Sequence, residues 1–272
     1  MLSSYPKINS YNIWEELITL KRKPKNIIVL LSGGLDSSTI AYLVSKKSKS
    51  YSKNRVFILT FDYGQRHKKE LKSASVLAKK VKAVEHKTVK LDLTLWGGSA
   101  LTDRRISVPK RQMLFKTKDE KLTIKSIPNT YVPARNTIFL SLAIAYAEAV
   151  KASEIYIGVN SLDYSGYVDC RPEFIRKFQE LIKVATVAGS KGNITMIKTP
   201  LIDMTKSEII KLGQKLGVDW SVTWSCYMGG ELACGLCDSC QLRLKGFAMA
   251  GIRDPLKYKN LPLFYRNFLC SN

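Results

Sequence analysis

The sequence lacks long apolar runs and is poor in cysteine, histidine and acidic residues. Its most apolar stretch, residues 138–150, is interrupted by Ser141 and Glu148. It is shorter than the roughly 20 residues that cross a bilayer, so no membrane span is predicted. Residues 1–22 show no signal-peptide core, because Tyr, Asn and a Glu pair break their apolar run. Six cysteines in 272 residues are too few for a disulfide scaffold, and we expect a reducing, cytoplasmic compartment.

The composition is that of a globular protein with a strong basic excess. Hydrophobic residues make up 45% of the chain, enough for a sizeable core. Lys and Arg number 44 against 22 Asp and Glu, which gives a formal charge of +22. A polyanion such as tRNA, or an anionic substrate, would explain this charge. A lysine-rich surface without a specific partner is the favoured explanation, since the lysines are scattered and no RNA-binding module is recognisable.

Apolar β-branched segments alternate with amphipathic helical segments along the chain. Residues 26–31 (NIIVLL), 55–61, 84–91 and 154–159 are predicted strands, and the first is apolar from Ile27 to its end, as in a strand buried on both faces. Helices are predicted over residues 68–81, 137–151, 172–186 and 205–216, and one more begins at Asp36. This alternation predicts an α/β fold built on a doubly wound parallel sheet.

The segment Leu31-Ser-Gly-Gly-Leu-Asp-Ser-Ser38 connects the first predicted strand to the first helix. Glycines let backbone N–H groups approach an anion, and the helix N-terminus and serine hydroxyls add further donors. Phosphate or pyrophosphate binding is therefore expected. The segment is neither a Walker motif nor a three-glycine dinucleotide motif. The alternative is a glycine-rich turn in which Asp36 only caps the helix.

At these residues the chain resembles the ATP pyrophosphatase (PP-loop) superfamily, whose signature is Ser-Gly-Gly-x-Asp-Ser. The resemblance implies an adenine-nucleotide alpha hydrolase-like fold, cleavage of ATP between the α and β phosphates, and Mg²⁺ bridging the phosphates. It also implies that the ATP-binding residues are Leu31, Ser32, Gly33, Gly34, Leu35, Asp36, Ser37, Ser38, Thr39 and Ile40.

Four of the six cysteines lie within 15 residues, as Cys226-x7-Cys234-x2-Cys237-x2-Cys240. Two-residue spacings let thiolates converge on one ion, and four sulfurs suit a closed, structural Zn²⁺ site. An iron–sulfur cluster or a redox pair at Cys237 and Cys240 are the alternatives. The C-terminal part is thus predicted to be a small helical zinc-binding subdomain.

Four further segments narrow the resemblance to one family: Tyr63-Gly-Gln-Arg-His67, Val132-Pro-Ala-Arg-Asn136, Asp163-Tyr-Ser-Gly-Tyr-Val-Asp-Cys-Arg-Pro-Glu-Phe174 and Thr199-Pro-Leu201. Together with residues 31–38, called the phosphate loop below, and the four clustered cysteines, these segments resemble the QueC family of 7-cyano-7-deazaguanine synthases. The resemblance covers roughly residues 26–250. The resemblance implies a cytoplasmic homodimeric ligase of queuosine biosynthesis. Its substrates would be ATP, 7-carboxy-7-deazaguanine and ammonia, and adenylated intermediates would lead to the nitrile.

The chain is accordingly divided into an N-terminal extension (residues 1–25), a PP-loop ATP-binding domain (26–204) and a C-terminal helical segment with the Cys₄ site (205–272). Candidate substrate or catalytic residues are Arg66, His67, Arg135, Asn136, Asp163, Tyr164, Asp169 and Arg171. Several of these have a structural alternative. Arg66 could be a surface arginine and His67 a histidine whose hydrogen bonds are made within the protein. Asn136 could be a helix cap, and the residues around Gly166 could form a structural turn.

Three other functions compete with this prediction. A PP-loop enzyme that acts directly on tRNA, as a thiolase or lysidine synthase, would use the basic charge. A paralogue could use the same adenylate to attach the deazaguanine to a protein amine. A non-catalytic zinc-containing nucleic-acid binder would explain the charge and the cysteines, but it has no need of pyrophosphate donors.

Overall fold

Five parallel strands form the centre of the protein. The computed structural model describes residues 24–51, 54–110, 127–161 and 167–271. Within these ranges the strands are β1 (Asn26–Leu30), β2 (Arg55–Asp62), β3 (Glu85–Lys90), β4 (Ala152–Tyr156) and β5 (Met196–Lys198). Their order across the sheet is β3-β2-β1-β4-β5, and every pairing is parallel. The predicted doubly wound parallel sheet is confirmed.

Helices cover both faces of this sheet. They are α1 (Leu35–Tyr51), α2 (Lys69–Lys80), α3 (Arg135–Val150), α4 (Pro172–Ala185), α5 (Val187–Ser190), α6 (Lys206–Leu216), α7 (Asp238–Ala250) and α8 (Leu263–Ser271). In the described part of the chain, none of them is both long enough and apolar enough to cross a membrane.

Strand β1 is buried on both faces, as its uniform apolar sequence predicts. Ile28 and Leu30 point into the core formed with α3 and α4, whereas Ile27 and Val29 point into the core formed with α1, α2 and α6. Successive side chains of a strand face opposite sides, so a central strand covered by helices must be apolar at every position. By contrast, edge strand β3 carries exposed Lys87 and Lys90, which discourage pairing with another chain.

The bounds of several elements differ from the sequence predictions for local reasons. Helix α3 starts at Arg135 rather than Thr137, because the Asp169 carboxylate accepts a hydrogen bond from the Asn136 N–H at 3.0 Å. Strand β4 ends at Tyr156, and Gly158 then passes close to the start of α1. Strand β5 has only three residues, too few for a periodic pattern to be recognised.

The C-terminal helices pack against the α/β part through a third core. Ile210 of α6, Phe247 of α7 and Tyr265 of α8 are buried together with Leu35 at the start of α1. The segment after α6 therefore lies beside the helix that follows the phosphate loop.

Candidate active site

The carboxyl ends of β1, β2 and β4 open into a cavity of about 240 Å³. Strands β1 and β4 are neighbours, yet the chain leaves β1 towards one edge of the sheet and β4 towards the other. Open α/β sheets bind ligands at such a switch point. Residues from the loop after β1, the ends of β2 and β4, and helices α3, α6 and α7 line the cavity. It is therefore the candidate active site.

The phosphate loop forms one wall of this cavity. The hydroxyls of Ser32 and Ser37 lie 3.0 Å apart, and the Ser32 N–H donates to the Ser37 hydroxyl at 3.2 Å. The Gly34 N–H in turn donates to the Ser32 hydroxyl at 3.3 Å. These hydrogen bonds between residues close in sequence hold the loop in a turn. The hydroxyls of the turn border the cavity at the start of α1. That is the arrangement expected of an anion site.

The predicted ATP-binding residues divide into two groups. Those that line the cavity are Leu31, Ser32, Gly34, Leu35, Asp36 and Ser37. Gly33 and the residues at 38–40 lie outside the lining. Ser38, Thr39 and Ile40 are fully buried in the first turns of α1, where the Ser38 and Thr39 hydroxyls donate to backbone carbonyls. The second group supports the loop from beneath.

Gly33 is the residue that lets the loop pass close to α2. Its φ is +89°, and a Cβ there would lie 2.4 Å from the Glu70 carbonyl oxygen. We expect Gly33→Ala to lower ATP turnover at least tenfold, because both the left-handed dihedral and the backbone clash displace the loop; the strain alone costs about 1–3 kcal/mol. Steady-state release of pyrophosphate measures the effect.

Gly192 is the matched control for this substitution. Its φ is +78°, but a Cβ there would meet nothing within 4 Å. Gly192→Ala therefore carries the dihedral strain alone, and turnover should stay at the wild-type level. Equal turnover in both variants would show that close packing of Gly33 on α2 does not shape the loop.

A partly buried ion pair joins the phosphate loop to α6. Lys206 Nζ lies 2.7 and 2.9 Å from the two carboxylate oxygens of Asp36. Both side chains line the cavity, and only 9% of the lysine side chain is exposed. The sequence prediction missed Lys206, because a single lysine at a helix start is indistinguishable from the surface lysines around it. The lysine ammonium adds a positive charge next to the anion-binding loop.

The start of α3 brings several of the candidate substrate residues together. Arg135 lines the cavity, with its Nη1 3.4 Å from the Tyr63 hydroxyl and its guanidinium over the Tyr63 ring. Ala134 before it has a φ of +52°, which is uncommon for a residue with a side chain and often marks a functional constraint. Burial raises the pKa of Tyr63, so its phenol stays protonated.

Asn136 and Asp169 form a structural pair behind Arg135. The Asn136 amide donates to the Asp169 carbonyl at 3.1 Å and to the Cys170 sulfur at 3.3 Å, and its N–H donates to the Asp169 carboxylate. Asn136 and Cys170 reach the cavity, whereas Asp169 does not line it. This contact ties the segment before α4 to the helix that carries Arg135.

The structure does not bring Arg66 or Arg171 to the cavity. The Arg66 guanidinium donates to the backbone carbonyls of Asp103 at 2.8 Å and Ile106 at 3.0 Å, so it fastens the loop after β3. Arg171 is exposed at the start of α4. Asp163 and Tyr164 lie outside the described residues.

His67 does line the cavity, and it is almost fully buried. Its Nε2 lies 3.1 Å from Oε2 of Glu70, one turn further along. The other Glu70 oxygen accepts a hydrogen bond from the Gln65 amide at 2.9 Å. The segment at 63–67 thus places a histidine, and not its arginine, in the cavity.

Aromatic side chains form another part of the cavity lining, here called the aromatic wall. Tyr167, Trp224 and Tyr227 line the cavity, and the His67 and Tyr227 rings lie 5.6 Å apart. Lys69 Nζ lies 4.1 Å from the centre of the Trp224 ring. A planar heterocycle could stack on such a wall. Tyr167 belongs to the segment at 163–174 that the sequence analysis singled out, whereas Trp224 and Tyr227 were missed because isolated aromatics carry no positional signal.

The four clustered cysteines converge as the sequence spacing predicts. Their sulfurs all lie within 4.8 Å of one another, and three of the four residues are buried. Tetrahedral Zn–S bonds of 2.3 Å would place sulfurs about 3.8 Å apart, and the Cys234–Cys240 separation is 3.9 Å. The Leu236 and Cys237 N–H groups donate to the Cys234 sulfur. The donor set therefore fits a zinc ion.

The cysteine cluster also forms the base of the aromatic wall. Cys226 lies between Trp224 and Tyr227 in sequence, and the Trp224 indole donates to the Cys226 carbonyl at 3.0 Å. The last cysteine, Cys240, is in the first turn of α7, whose residues Ser239, Leu242 and Arg243 line the cavity. Holding the four sulfurs together thus fixes one side of the candidate active site.

Comparison with known proteins identifies close relatives. The family model described as "Queuosine biosynthesis protein QueC" matches residues 26–251. A 7-cyano-7-deazaguanine synthase from Nostoc sp. (strain PCC 7120 / SAG 25.82 / UTEX 2576) is 52% identical over 235 residues, which cover 86% of this chain and 97% of that protein. Another from Nostoc punctiforme is 53% identical over 231 residues, which cover 85% of this chain and 98% of the relative.

A solved structure of low sequence identity also matches the chain. The NMN synthetase from Francisella tularensis is 15% identical, with a TM-score of 0.42 over 91% of this chain and 82% of its own. A similarity at this level supports no conclusion about function.

Proposed function

The chain belongs to the QueC family, and we infer that it is an enzyme of queuosine biosynthesis that makes 7-cyano-7-deazaguanine. The observation that carries this conclusion is the identity of 52–53% to proteins named 7-cyano-7-deazaguanine synthase, across 97–98% of their length. We propose 7-carboxy-7-deazaguanine, ammonia and ATP as its substrates.

The reaction requires activation of a carboxylate, which is a poor electrophile. A carboxylate oxygen of the substrate attacks the α-phosphate of ATP, and pyrophosphate leaves. Ammonia then displaces AMP to give the amide, and a second activation at the amide oxygen lets AMP leave as the nitrile forms. The tasks of the protein are to orient the reactants and to stabilise charge on the phosphates.

We assign the departing pyrophosphate to the phosphate loop. The hydroxyls of Ser32 and Ser37 and the start of α1 border the cavity there, and Lys206 adds a positive charge. Bound Mg²⁺ would bridge phosphate oxygens and neutralise charge. The carboxylates of Asp36 and Glu70 already face Lys206 and His67. Phosphate oxygens and water would therefore supply most of the magnesium ligands, as is common for this ion.

We assign the deazaguanine to the aromatic wall and its carboxylate to Arg135. The wall offers Tyr167, Trp224 and Tyr227 for stacking, and Arg135 is a guanidinium lining the same cavity. The planar fork of arginine suits a carboxylate. Asp163 and Tyr164 remain proposed contacts to the guanine-like edge.

Three further features belong to this proposal. The zinc ion is structural, because four cysteines leave no open position for water. Free ammonia is the nitrogen donor and the enzyme is a homodimer, both on the family resemblance. The cytoplasm is the compartment, since its reducing conditions keep the clustered thiols available for zinc.

A tRNA thiolase is not favoured by the remaining cysteines. Such an enzyme would need a reactive cysteine pair outside a closed metal site. Burial raises the pKa of the Cys170 thiol to about 12, whereas Cys270 is exposed on α8 at the end of the chain. A non-catalytic nucleic-acid binder would leave the serine pair and the Lys206–Asp36 contact unexplained.

Mass spectrometry of a reaction with zinc-loaded protein tests this function. We expect Mg-ATP, ammonium and 7-carboxy-7-deazaguanine to yield the nitrile together with AMP and pyrophosphate. Adenylated substrate without nitrile would instead indicate the paralogue that conjugates the deazaguanine to a protein amine. Absence of ATP cleavage would contradict the proposal.

Replacing Lys206 tests the assignment of the pyrophosphate site. We expect Lys206→Met to lower kcat/KM for ATP by about 10- to 100-fold, because a charged hydrogen bond is worth about 1.5–3 kcal/mol and the variant leaves Asp36 without its ammonium. Initial rates at varied ATP concentration measure this. Lys211→Met, which removes an exposed lysine from the same helix, is the control and should behave as wild type. A similar loss in both variants would contradict the assignment.

A further inference from the structure

One side-chain nitrogen of a cavity-lining residue is buried and has no hydrogen-bond partner. It is Nδ1 of His67, which is shielded from solvent although the residue lines the cavity. Within the described ranges, the other buried side-chain N and O atoms without a partner belong to Arg66, Thr102 and Ser153, none of which lines the cavity. A buried polar atom without a partner is costly and calls for an explanation, such as a ligand that completes it.

The neighbours of His67 determine which of its nitrogens carries the proton. Nε2 faces a carboxylate oxygen of Glu70 at 3.1 Å, so it is the protonated nitrogen that donates. The Gln65 amide holds the second Glu70 oxygen at 2.9 Å and also donates to the Phe61 carbonyl at 3.1 Å. The Tyr63 N–H in turn donates to the Gln65 carbonyl oxygen at 2.7 Å. Nδ1 is therefore left with a lone pair.

The proposed reaction supplies a reason for such a lone pair. As ammonia becomes the nitrile nitrogen, all three of its hydrogens leave as protons. Each must pass to a base near the nitrogen, and a positioned base typically accelerates such a step by about 10²–10⁴-fold. Arg135 and Lys206 are cations, and Asp36 is held by Lys206. The need for a base near this nitrogen rests on the proposed function. A different residue must therefore accept the protons.

We propose that His67 is a catalytic residue that accepts a proton from the attacking nitrogen at Nδ1. The ammonia lone pair forms the C–N bond to the acyl adenylate, and the carbon–oxygen bond to AMP breaks with its electron pair leaving on AMP. One N–H proton passes to Nδ1, which leaves a neutral amide and an imidazolium. Glu70 stabilises the imidazolium through Nε2–H and is a positioning residue. The segment at 63–70 is thus a proton-accepting unit.

Two readouts on one variant separate this role from a structural one. His67→Gln keeps an amide N–H that can reach Glu70 but has no basic nitrogen. Hydroxylamine attacks acyl adenylates without help from a base, so hydroxamate formation reports adenylation alone. We expect hydroxamate formation by His67→Gln within about twofold of wild type, and amide and nitrile formation from ammonia slower by about 100-fold or more.

Thr102→Val is the matched control, because it removes a buried partnerless hydroxyl that lies outside the cavity lining. Both of its rates should stay within about twofold of wild type, as expected for a change away from the reacting atoms. If His67→Gln does not fold, Glu70→Gln measures the same step and should slow amide formation without slowing hydroxamate formation.

Equal losses in the two assays, or no loss with ammonia, would overturn the role of His67. Wild-type protein that forms hydroxamate but no nitrile would overturn the proposed function and this inference with it. A defect confined to the ammonia step of the variant supports both.

Discussion

Cys237→Ser is expected to release the zinc ion and to abolish nitrile formation. Changes to the groups around metal ligands already lower metal affinity or activity by about 10- to 100-fold. Serine is a poor zinc ligand, so replacing a ligand itself should lower turnover by more than about 100-fold. The cause is geometric, because the cysteine cluster holds the segment that places Trp224, Ser225 and Tyr227 in the cavity wall. Zinc content by mass spectrometry and turnover of 7-carboxy-7-deazaguanine measure the two effects.

Cys270→Ser is the control for this experiment. Cys270 is exposed on α8 and lies outside the cluster, so its replacement should change neither zinc content nor turnover. Cys237→Ser with full zinc content and full activity would contradict a structural metal at this site. An absorption spectrum typical of an iron–sulfur cluster in the native protein would identify the alternative ion.

Arg243→Met is expected to destabilise the protein by about 3–5 kcal/mol, because it leaves a buried carboxylate without its cation. Arg243 is 1% exposed, and its guanidinium binds both oxygens of Asp254, with Nε 2.7 Å and Nη2 2.9 Å away. It also donates to the Thr223 hydroxyl at 2.8 Å. The pair therefore joins α7 to the segments on both sides of it. Equilibrium unfolding in urea measures the change.

The double variant Arg243→Met/Asp254→Asn separates unpaired charge from lost packing. An amide at 254 is neutral. Its oxygen can still accept from the Leu256 N–H, which now lies 3.1 Å from Oδ1, and its NH₂ group can donate to the Tyr258 hydroxyl oxygen, which now lies 2.6 Å from Oδ2. We expect the double variant to regain a large part of the lost free energy of unfolding, since no charge is left buried alone. A double variant no more stable than Arg243→Met would contradict this explanation.

Several properties of the protein follow from its sequence alone. The apolar run at 27–31 can only be stable with both faces covered, which indicates a central parallel strand. Ser32-Gly-Gly-Leu-Asp-Ser37 predicts a candidate anion site from its own turn and the following helix. The cysteine spacing is equally local, because two-residue separations bring sulfurs to one point. The fold class, the candidate phosphate loop and the convergence of the four cysteines are therefore predictable without a structure.

The rest of the site was decided by tertiary packing. Lys206 lies 170 residues from Asp36 along the chain, and only the packing of α6 on α1 brings their charged groups within 2.7 Å. In the segment at 63–67, the sequence alone could not tell that Arg66 turns to backbone carbonyls and His67 to the cavity. Contacts between distant residues leave no periodicity or spacing in the sequence, so which charged side chains meet at the cavity is determined only once the chain has folded.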